Sequence, residues 1–301
     1  MKPDMATIAQ LSDLHLLEDS YANRPFGPRA RLSYLSFGRR LDPRERRKRA
    51  ADALEEVQAR SVDHLLITGD LTEDGHIEQF EVLAELLSES RIPAERITLV
   101  PGNHDAYIDG SAFAEAMKGP LQPYAATSSV GTAMRFRDVT IVPVSTAFHQ
   151  SPLRSAGAIA PTDLESLAGI AKDSRLEGRP LVFAQHHAPG CLFNPLLQWI
   201  DGLSEHSVLL DLFNRCPHLH VMHGHTHHEA NRTLCDGEAP RVFSAEAVVD
   251  GSSPLRLYDA SPAGVSPLKV DVVDGSSLVG RKASSSATRD SIESALRPEP
   301  A

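Results

Sequence analysis

Five short apolar runs set the limits on how this chain can fold: Ala6 to Leu11, Leu65 to Ile67, Ile97 to Val100, Leu181 to Phe183 and Leu219 to Met222. Each gives way to a polar or glycine-containing turn, so each reads as a buried strand. Between them, Ala50, Leu54 and Val57, and again Ile77, Phe80, Leu83 and Leu87, recur every three or four positions, which is helix spacing. Asp42-Pro43-Arg44-Glu45 supplies an N-cap, a first-position proline and a capping-box glutamate, and Thr162 with Glu165 offers a second box. Strand then helix, repeated, predicts an α/β protein. Ala133 to Ser145 and Asn231 through Val273 carry strand patterns without helices between them, which adds a mixed sheet or a pair of sheets. No fixed-period repeat is visible.

The 301 residues, 41% of them hydrophobic, suffice for one large core, or a core with a small appendage. Residues 1–274 are expected to form one catalytic domain, and 275–301, rich in Ser, Arg, Glu and Pro, to be a disordered tail. The start carries no recognisable secretion signal, and no apolar stretch approaches the roughly 20 residues of a membrane span. Cys191, Cys216 and Cys235 are too widely spaced for a zinc ribbon or a paired redox motif. A soluble, cytoplasmic protein with reduced thiols is expected. The formal charge of −10 argues against a nucleic-acid coat protein, but it is unevenly placed. Arg24 to Arg49 holds ten Lys or Arg against Asp42 and Glu45, so a basic insert is expected at about 20–49.

All five runs lead within a few residues to potential metal ligands. The first leads to Asp13 and His15, the second to Asp70, the third to Asn103 and His104, the fourth to His186 and His187, and the fifth to His225 and His227. Loops at the carboxyl ends of strands in open α/β sheets line one crevice, so residues this far apart can converge. Asp13 and His15, like His225 and His227, stand two apart, which in an extended backbone points both side chains the same way. Gly69, Gly102 and Gly224 sit where the chain is expected to turn tightly beside a ligand. Two carboxylates, three or four imidazoles and an amide oxygen exceed one ordinary zinc site and suit two metals sharing a bridge. Of the adjacent pair, either His186 or His187 can be the ligand, since neighbours on a strand end point oppositely. Mixed nitrogen and oxygen ligation suits Mn, Fe or Zn.

The series Asp13-Leu14-His15, Gly69-Asp70, Gly102-Asn103-His104-Asp105, His186-His187 and Gly224-His225-Thr226-His227 resembles, in order and over about residues 5 to 230, the calcineurin-like metallophosphoesterase superfamily. Gly69-Asp70-Leu71-Thr72 and the residues around Leu14 look more like its bacterial phosphodiesterase branch than its Ser/Thr protein phosphatases. The resemblance implies a four-layer α/β/β/α sandwich of two mixed sheets flanked by helices. It implies that Asp13, His15, Asp70 and His227 hold one metal, and that Asp70, Asn103, His186 and His225 hold the other, with Asp70 bridging. It aligns His186 with the ligand position and leaves His187 beside it. It gives His104 the role of stabilising the developing charge or protonating the leaving oxygen, with Asp105 orienting the imidazole.

Water shared by two such cations loses much of its proton affinity, so a bridging hydroxide is expected to attack phosphorus in line. The leading expectation is a phosphodiesterase acting on a small or lipid-linked phosphodiester or pyrophosphate. A phosphomonoesterase or nuclease using the same metals comes second, and a scaffold of the same fold third. The basic insert interleaves Leu32, Tyr34, Leu35 and Phe37 with Arg29, Arg31, Arg39 and Arg40, a composition that suits a phosphorylated or lipid-bearing substrate, an anionic membrane, or a plain solvated helical face.

Overall fold

Two sheets pack face to face, and their strands follow the apolar runs. The computed structural model describes residues 5–176, 179–190, 192, 194–233, 241–251 and 254–268. Its strands are β1 (Ala6–Leu11), β2 (His64–Thr68), β3 (Ile97–Val100), β4 (Met134–Phe136), β5 (Val139–Pro143), β6 (Leu181–Ala184), β7 (Leu219–His223), β8 (Ala230–Arg232), β9 (Val242–Ser244), β10 (Arg256–Ser261) and β11 (Gly264–Leu268). The helices are α1 (Phe26–Leu35), α2 (Pro43–Ala59), α3 (Ile77–Glu89), α4 (Ala112–Lys118), α5 (Pro161–Leu176), α6 (Pro195–Asp201) and α7 (His206–Arg215). One sheet runs β11-β10-β1-β2-β3 and the other β4-β5-β6-β7-β9-β8. The first is parallel from β1 to the edge strand β3 and antiparallel where β10 and β11 join it, and the second is parallel from β5 to β7 and β9 and antiparallel at both margins, so both are mixed. The described residues all fall within the unit Met1–Lys269, and the expected tail at 275–301 lies outside them.

Alternation along the strands builds the layers. Ile8, Leu66 and Val100 of the first sheet meet Ile141, Val182, Ala184, Met222 and Phe243 of the second in one apolar core. The opposite face of the second sheet, with Val142, Phe183 and Val221, is covered by Leu167 and Ala171 of α5 and by Leu209 and Phe213 of α7. Helices α2 and α3 are the crossovers of the parallel pairs β1–β2 and β2–β3, and right-handed crossovers place both on the outer face of the first sheet. Asp42 caps α2 as expected, accepting the Glu45 amide at 3.1 Å, but Glu45 turns its own side chain to Arg49, so the box is half closed. Thr162 is no cap, because Pro161 already opens α5.

Polar side chains also tie the sheets. Gln10 on β1 donates to the His223 carbonyl on β7 at 2.9 Å and accepts from the Tyr258 hydroxyl at 2.6 Å. His64 on β2 stacks on Phe136 of β4 at 4.9 Å, and His220 on β7 accepts from the Val265 amide on β11 at 3.2 Å.

Burial holds His64 down to about 3, and burial together with Arg241 takes His220 to about 4, from an ordinary value of 6.5. Between about pH 4 and 6.5 the unfolded chain binds protons that the native state refuses, so stability is present above that window and lost as pH falls through it. The loss is at most about 1.4 kcal/mol per pH unit for each histidine. Melting temperature measured from pH 7.5 to 4.5 should fall, and His220→Gln, which keeps an acceptor but cannot be protonated, should flatten that slope; an equal offset at every pH would mean the ring is only packing.

Candidate metal centre

The parallel strands of both sheets deliver their carboxyl ends to one edge, and the five ligand clusters gather there. The loops after β1 and β2 are laced together, since the Asp13 amide donates to the Gly69 carbonyl at 3.0 Å and the His15 amide to the Asp70 carbonyl at 2.9 Å. The Gly224 amide likewise donates to the His186 carbonyl across the other sheet. Among the described residues, five of the eight non-glycine positions with left-handed φ are Asp13, His15, Asp70, His225 and His227. The two-apart pairs Asp13 with His15 and His225 with His227 are therefore not extended, and the reason given by strand alternation is replaced by a sharper bend. Such conformations cost on the order of 1–3 kcal/mol each and persist where surrounding structure enforces them.

Two of the three glycines serve a purpose other than turning. Only Gly69 has left-handed φ, at 93°. A Cβ on Gly102 would stand 2.2 Å from Asp70 Oδ1, and one on Gly224 would stand 1.8 Å from Ser12 Oγ and 2.6 Å from Asp13 Oδ2. Here glycine is required because a neighbouring loop passes against bare backbone.

At the centre Asp70 accepts the His104 amide with Oδ1 at 2.9 Å. Its Oδ2 lies 3.3 Å from His186 Nε2, 3.6 Å from His15 Nε2 and 3.9 Å from His104 Nε2. Asp13 Oδ1 faces His227 Nε2 at 3.3 Å. Three groups of metal-binding character result: Asp13, His15 and His227; His15, Asp70 and His104; Asp13, Asp70 and His186. Asp13 Oδ1, Asn103 Oδ1 and His186 Nε2 are buried without a hydrogen-bond partner. Unmet buried polar atoms are costly, and Asp13, Asp70 and His186 lie close enough together for one cation to satisfy them. Burial alone would raise both carboxyls, but the charge of His227 on Asp13 and of His186 on Asp70 outweighs it and holds both well below the usual carboxylate range.

Each imidazole is aimed by whatever holds its other nitrogen. His186 Nδ1–H donates to the Thr68 carbonyl at 2.8 Å and His227 Nδ1–H to Asp250 at 2.8 Å; His15 Nδ1 stands 3.3 Å from Glu73 Oε2. His225 is turned the other way, with Nε2 donating to Asp201 at 3.0 Å and its ring against His186 and His187, which leaves Nδ1 as its available nitrogen. Asn103 donates with Nδ2 to the Tyr107 hydroxyl, leaving its carbonyl oxygen unclaimed. His187 has no nitrogen to offer: Nδ1 accepts from Thr146 at 2.7 Å and Nε2–H donates to the Ser155 carbonyl at 2.9 Å. Burial keeps that ring neutral.

One assignment is corrected. Asp105 does not orient the His104 ring by a hydrogen bond. It accepts from the Gly102, Leu71 and Thr72 amides and the Thr72 hydroxyl, and burial beside Asp70 pushes it up to about 7. His104 is oriented by the Glu73 carbonyl, which accepts Nδ1–H at 2.7 Å, so Nε2 faces the partly open crevice. Glu73, Asp201, Asp250 and Tyr107 were missed in the sequence. Glu73 follows Asp70 by three residues, the one proximity that pointed to it; the others carry no local signal.

The basic insert is also different from its composition. Arg24 pairs with Glu18 at 2.5 Å and Asp74 at 2.7 Å, Arg31 with Asp74 at 3.2 Å, Arg39 with Glu73 at 3.2 Å, and Arg46 with Glu73. Much of the positive charge is committed to buried acids beside the ligand loops. Cys191 lies outside the described residues.

Residues 6–229 match the profile of the calcineurin-like phosphoesterases, about three quarters of the chain. The chain belongs to the calcineurin-like phosphoesterase family. A 3′,5′-cyclic-nucleotide phosphodiesterase of Nostoc sp. is 29% identical to this phosphoesterase over 231 residues, 75% of this chain and 73% of the relative. A probable cyclic nucleotide phosphodiesterase of Synechococcus sp. is 38% identical over 99 residues, 33% of this chain and 31% of that one. In fold, a dimetal phosphatase of Danio rerio superposes with a TM-score of 0.60 over 87% of this chain and 98% of its own, at 11% identity. A purple acid phosphatase of yellow lupin gives 0.52 over 86% of this chain and 50% of its own, at 12% identity. This phosphoesterase is thus a metal-dependent hydrolase with the four-layer fold expected from its motifs.

Gly224→Ala should cost about 1–3 kcal/mol in urea unfolding and lower bound metal measured by mass spectrometry, because the new methyl collides with Ser12 and Asp13. Unchanged stability and metal content would show that the loops are not held this tightly.

Proposed function

We propose that this phosphoesterase is a phosphodiesterase with two metal ions, one held by Asp13, His15, Asp70 and His227 and the other by Asp70, Asn103, His186 and His225, acting on a small phosphodiester of the cyclic-nucleotide class. The observation that carries this is the grouping of Asp13, Asp70 and His186 beside that of His15, Asp70 and His104, with one Asp70 oxygen between His15 and His186 and the Asn103 carbonyl oxygen buried and unclaimed. The cyclic-nucleotide class is taken from the names of the two relatives. Mn, Fe or Zn suits the donor set. When bound, such metals acidify a shared water and offset charge on the phosphoryl oxygens.

The remaining chemistry belongs to the chain. Asp70 is held at Oδ1 by the His104 amide, which leaves Oδ2 to be shared. His104, fixed through Nδ1 by the Glu73 carbonyl, presents Nε2 to the crevice and hands a proton to the leaving oxygen as the ester bond breaks. Asp105 acts through backbone amides, keeping the Leu71–Thr72 and Gly102 turns in register so that Asp70 and Asn103 stay aligned.

Asp70→Asn should lose metal and activity together; retention of both metals and full turnover would contradict a shared ligand. His104→Ala should lower kcat by roughly 10²–10⁴-fold with metal content unchanged, whereas equal loss of both would make it a structural residue. Parallel assays of Mn-loaded protein on 3′,5′-cyclic AMP, bis(p-nitrophenyl) phosphate, p-nitrophenyl phosphate and single-stranded DNA separate the diesterase from the phosphomonoesterase and nuclease readings, and silence on all four would leave a scaffold.

A lipid-linked diester is the second reading, favoured by one feature. Helix α1 and the turn after it present Phe26 and Phe37, 80% and 90% exposed, near the exposed Arg29 and Arg40. No helix among the described residues is long and apolar enough to cross a membrane, so any such contact would be peripheral. Flotation with phosphatidylglycerol vesicles should carry the protein upward and Phe26→Ser with Phe37→Ser should abolish it; no flotation of the unaltered chain removes this reading.

A further inference from the structure

We propose that Arg39 reads the substrate's phosphate, its guanidinium binding a non-bridging oxygen once a metal occupies His15; this rests on the two-metal reading above. Arg24, Arg31 and Arg46 stop at Glu18, Asp74, Glu73 and backbone carbonyls. Arg39 reaches further. Its Nη1 donates to His15 Nε2 at 3.0 Å, while Nη2 is held by the Leu35 carbonyl at 3.0 Å and Glu73 Oε1 at 3.2 Å. Its Nε is buried without a partner. The side chain as a whole is 18% exposed, so it lies at the lip of the crevice.

The charge at that lip is surplus. Glu73 already serves Arg46 through Oε2 and accepts from Ser36 at 2.8 Å through Oε1, so one carboxylate is shared by two guanidinium groups. The Nε2 lone pair of a neutral imidazole takes either a donor or a metal, not both. Metal on His15 therefore removes the acceptor of Nη1 while Glu73 and Leu35 keep Nη2 in place. A guanidinium left with open donors beside two cations has one kind of partner available, an anion brought in by the substrate, and the planar fork suits phosphoryl oxygens. Metal and phosphate then bind with positive coupling, because the reader is free only in the loaded site.

The experiment uses full-length protein, manganese and inorganic phosphate. Manganese content is measured by mass spectrometry and phosphate affinity by titration calorimetry, for the unaltered chain, Arg39→Ala and Arg39→Lys. Arg39→Ala should keep its manganese, weaken phosphate binding by roughly ten- to a hundredfold, and raise KM for bis(p-nitrophenyl) phosphate more than it lowers kcat. Arg39→Lys should recover part of the affinity, having the charge without the fork. Undiminished phosphate affinity in Arg39→Ala overturns the proposal. So does loss of manganese in both variants, which would make Arg39 a brace for Glu73 and His15. If the unaltered chain takes up no manganese, both this inference and the two-metal reading fall; if it binds manganese and phosphate and Arg39→Ala matches it, this inference falls alone.

Discussion

Two carboxylates, Asp13 and Asp70, are buried together where the two sheets deliver their loops, and their charge dictates what surrounds them. A buried carboxylate is tolerated only with positive charge or donors close by. Among the described residues no Lys or Arg pairs with either one; their neighbours are imidazoles, backbone amides and one another. Arginine is available nearby, but it is drawn to Glu18, Glu73 and Asp74. That division leaves the central pair without an Arg or Lys partner among the described residues and sets arginine-paired Glu73 beside it, against His15.

The same division explains the shape of the ligand loops. Asp13, His15, Asp70, His225 and His227 adopt left-handed backbone, an arrangement ordinary side chains resist, and three glycines let adjacent loops press within van der Waals range. The strain is held by the strands beneath, whose parallel registers set the loop ends side by side, and by bonds such as Asp13 to Gly69 and His15 to Asp70. The scaffold supplying the centre is two sheets with a shared core, the kind of support that holds side chains in place.

The insert between β1 and α2 belongs to this design. Its arginines fasten it to the loop after Asp70, and Ser36, Arg39 and Arg46 converge on Glu73, whose side chain faces His15 and whose carbonyl orients His104. One glutamate thereby links the insert, His15 and His104.

Local chemistry was legible in the sequence. Strand runs, helix spacing and the Asp42 cap depend on neighbours within a few residues, and so does the placing of Asp, Asn and His directly after each run; the fold class and the candidate metal-binding groups were read from these. Positions decided by distant partners were not legible. His186 rather than His187 is available because Thr146 and Ser155 take both nitrogens of the latter, and Asp105 leaves His104 because the amides of Leu71, Thr72 and Gly102 claim it. The +8 segment looked like a surface for anions, yet whether an arginine faces solvent or a buried acid depends on which loop the fold lays beside it. Sequence determined which atoms could donate and accept; only tertiary structure decided which of them were already taken, because a hydrogen-bond donor or lone pair is used up by whatever group the fold brings within reach.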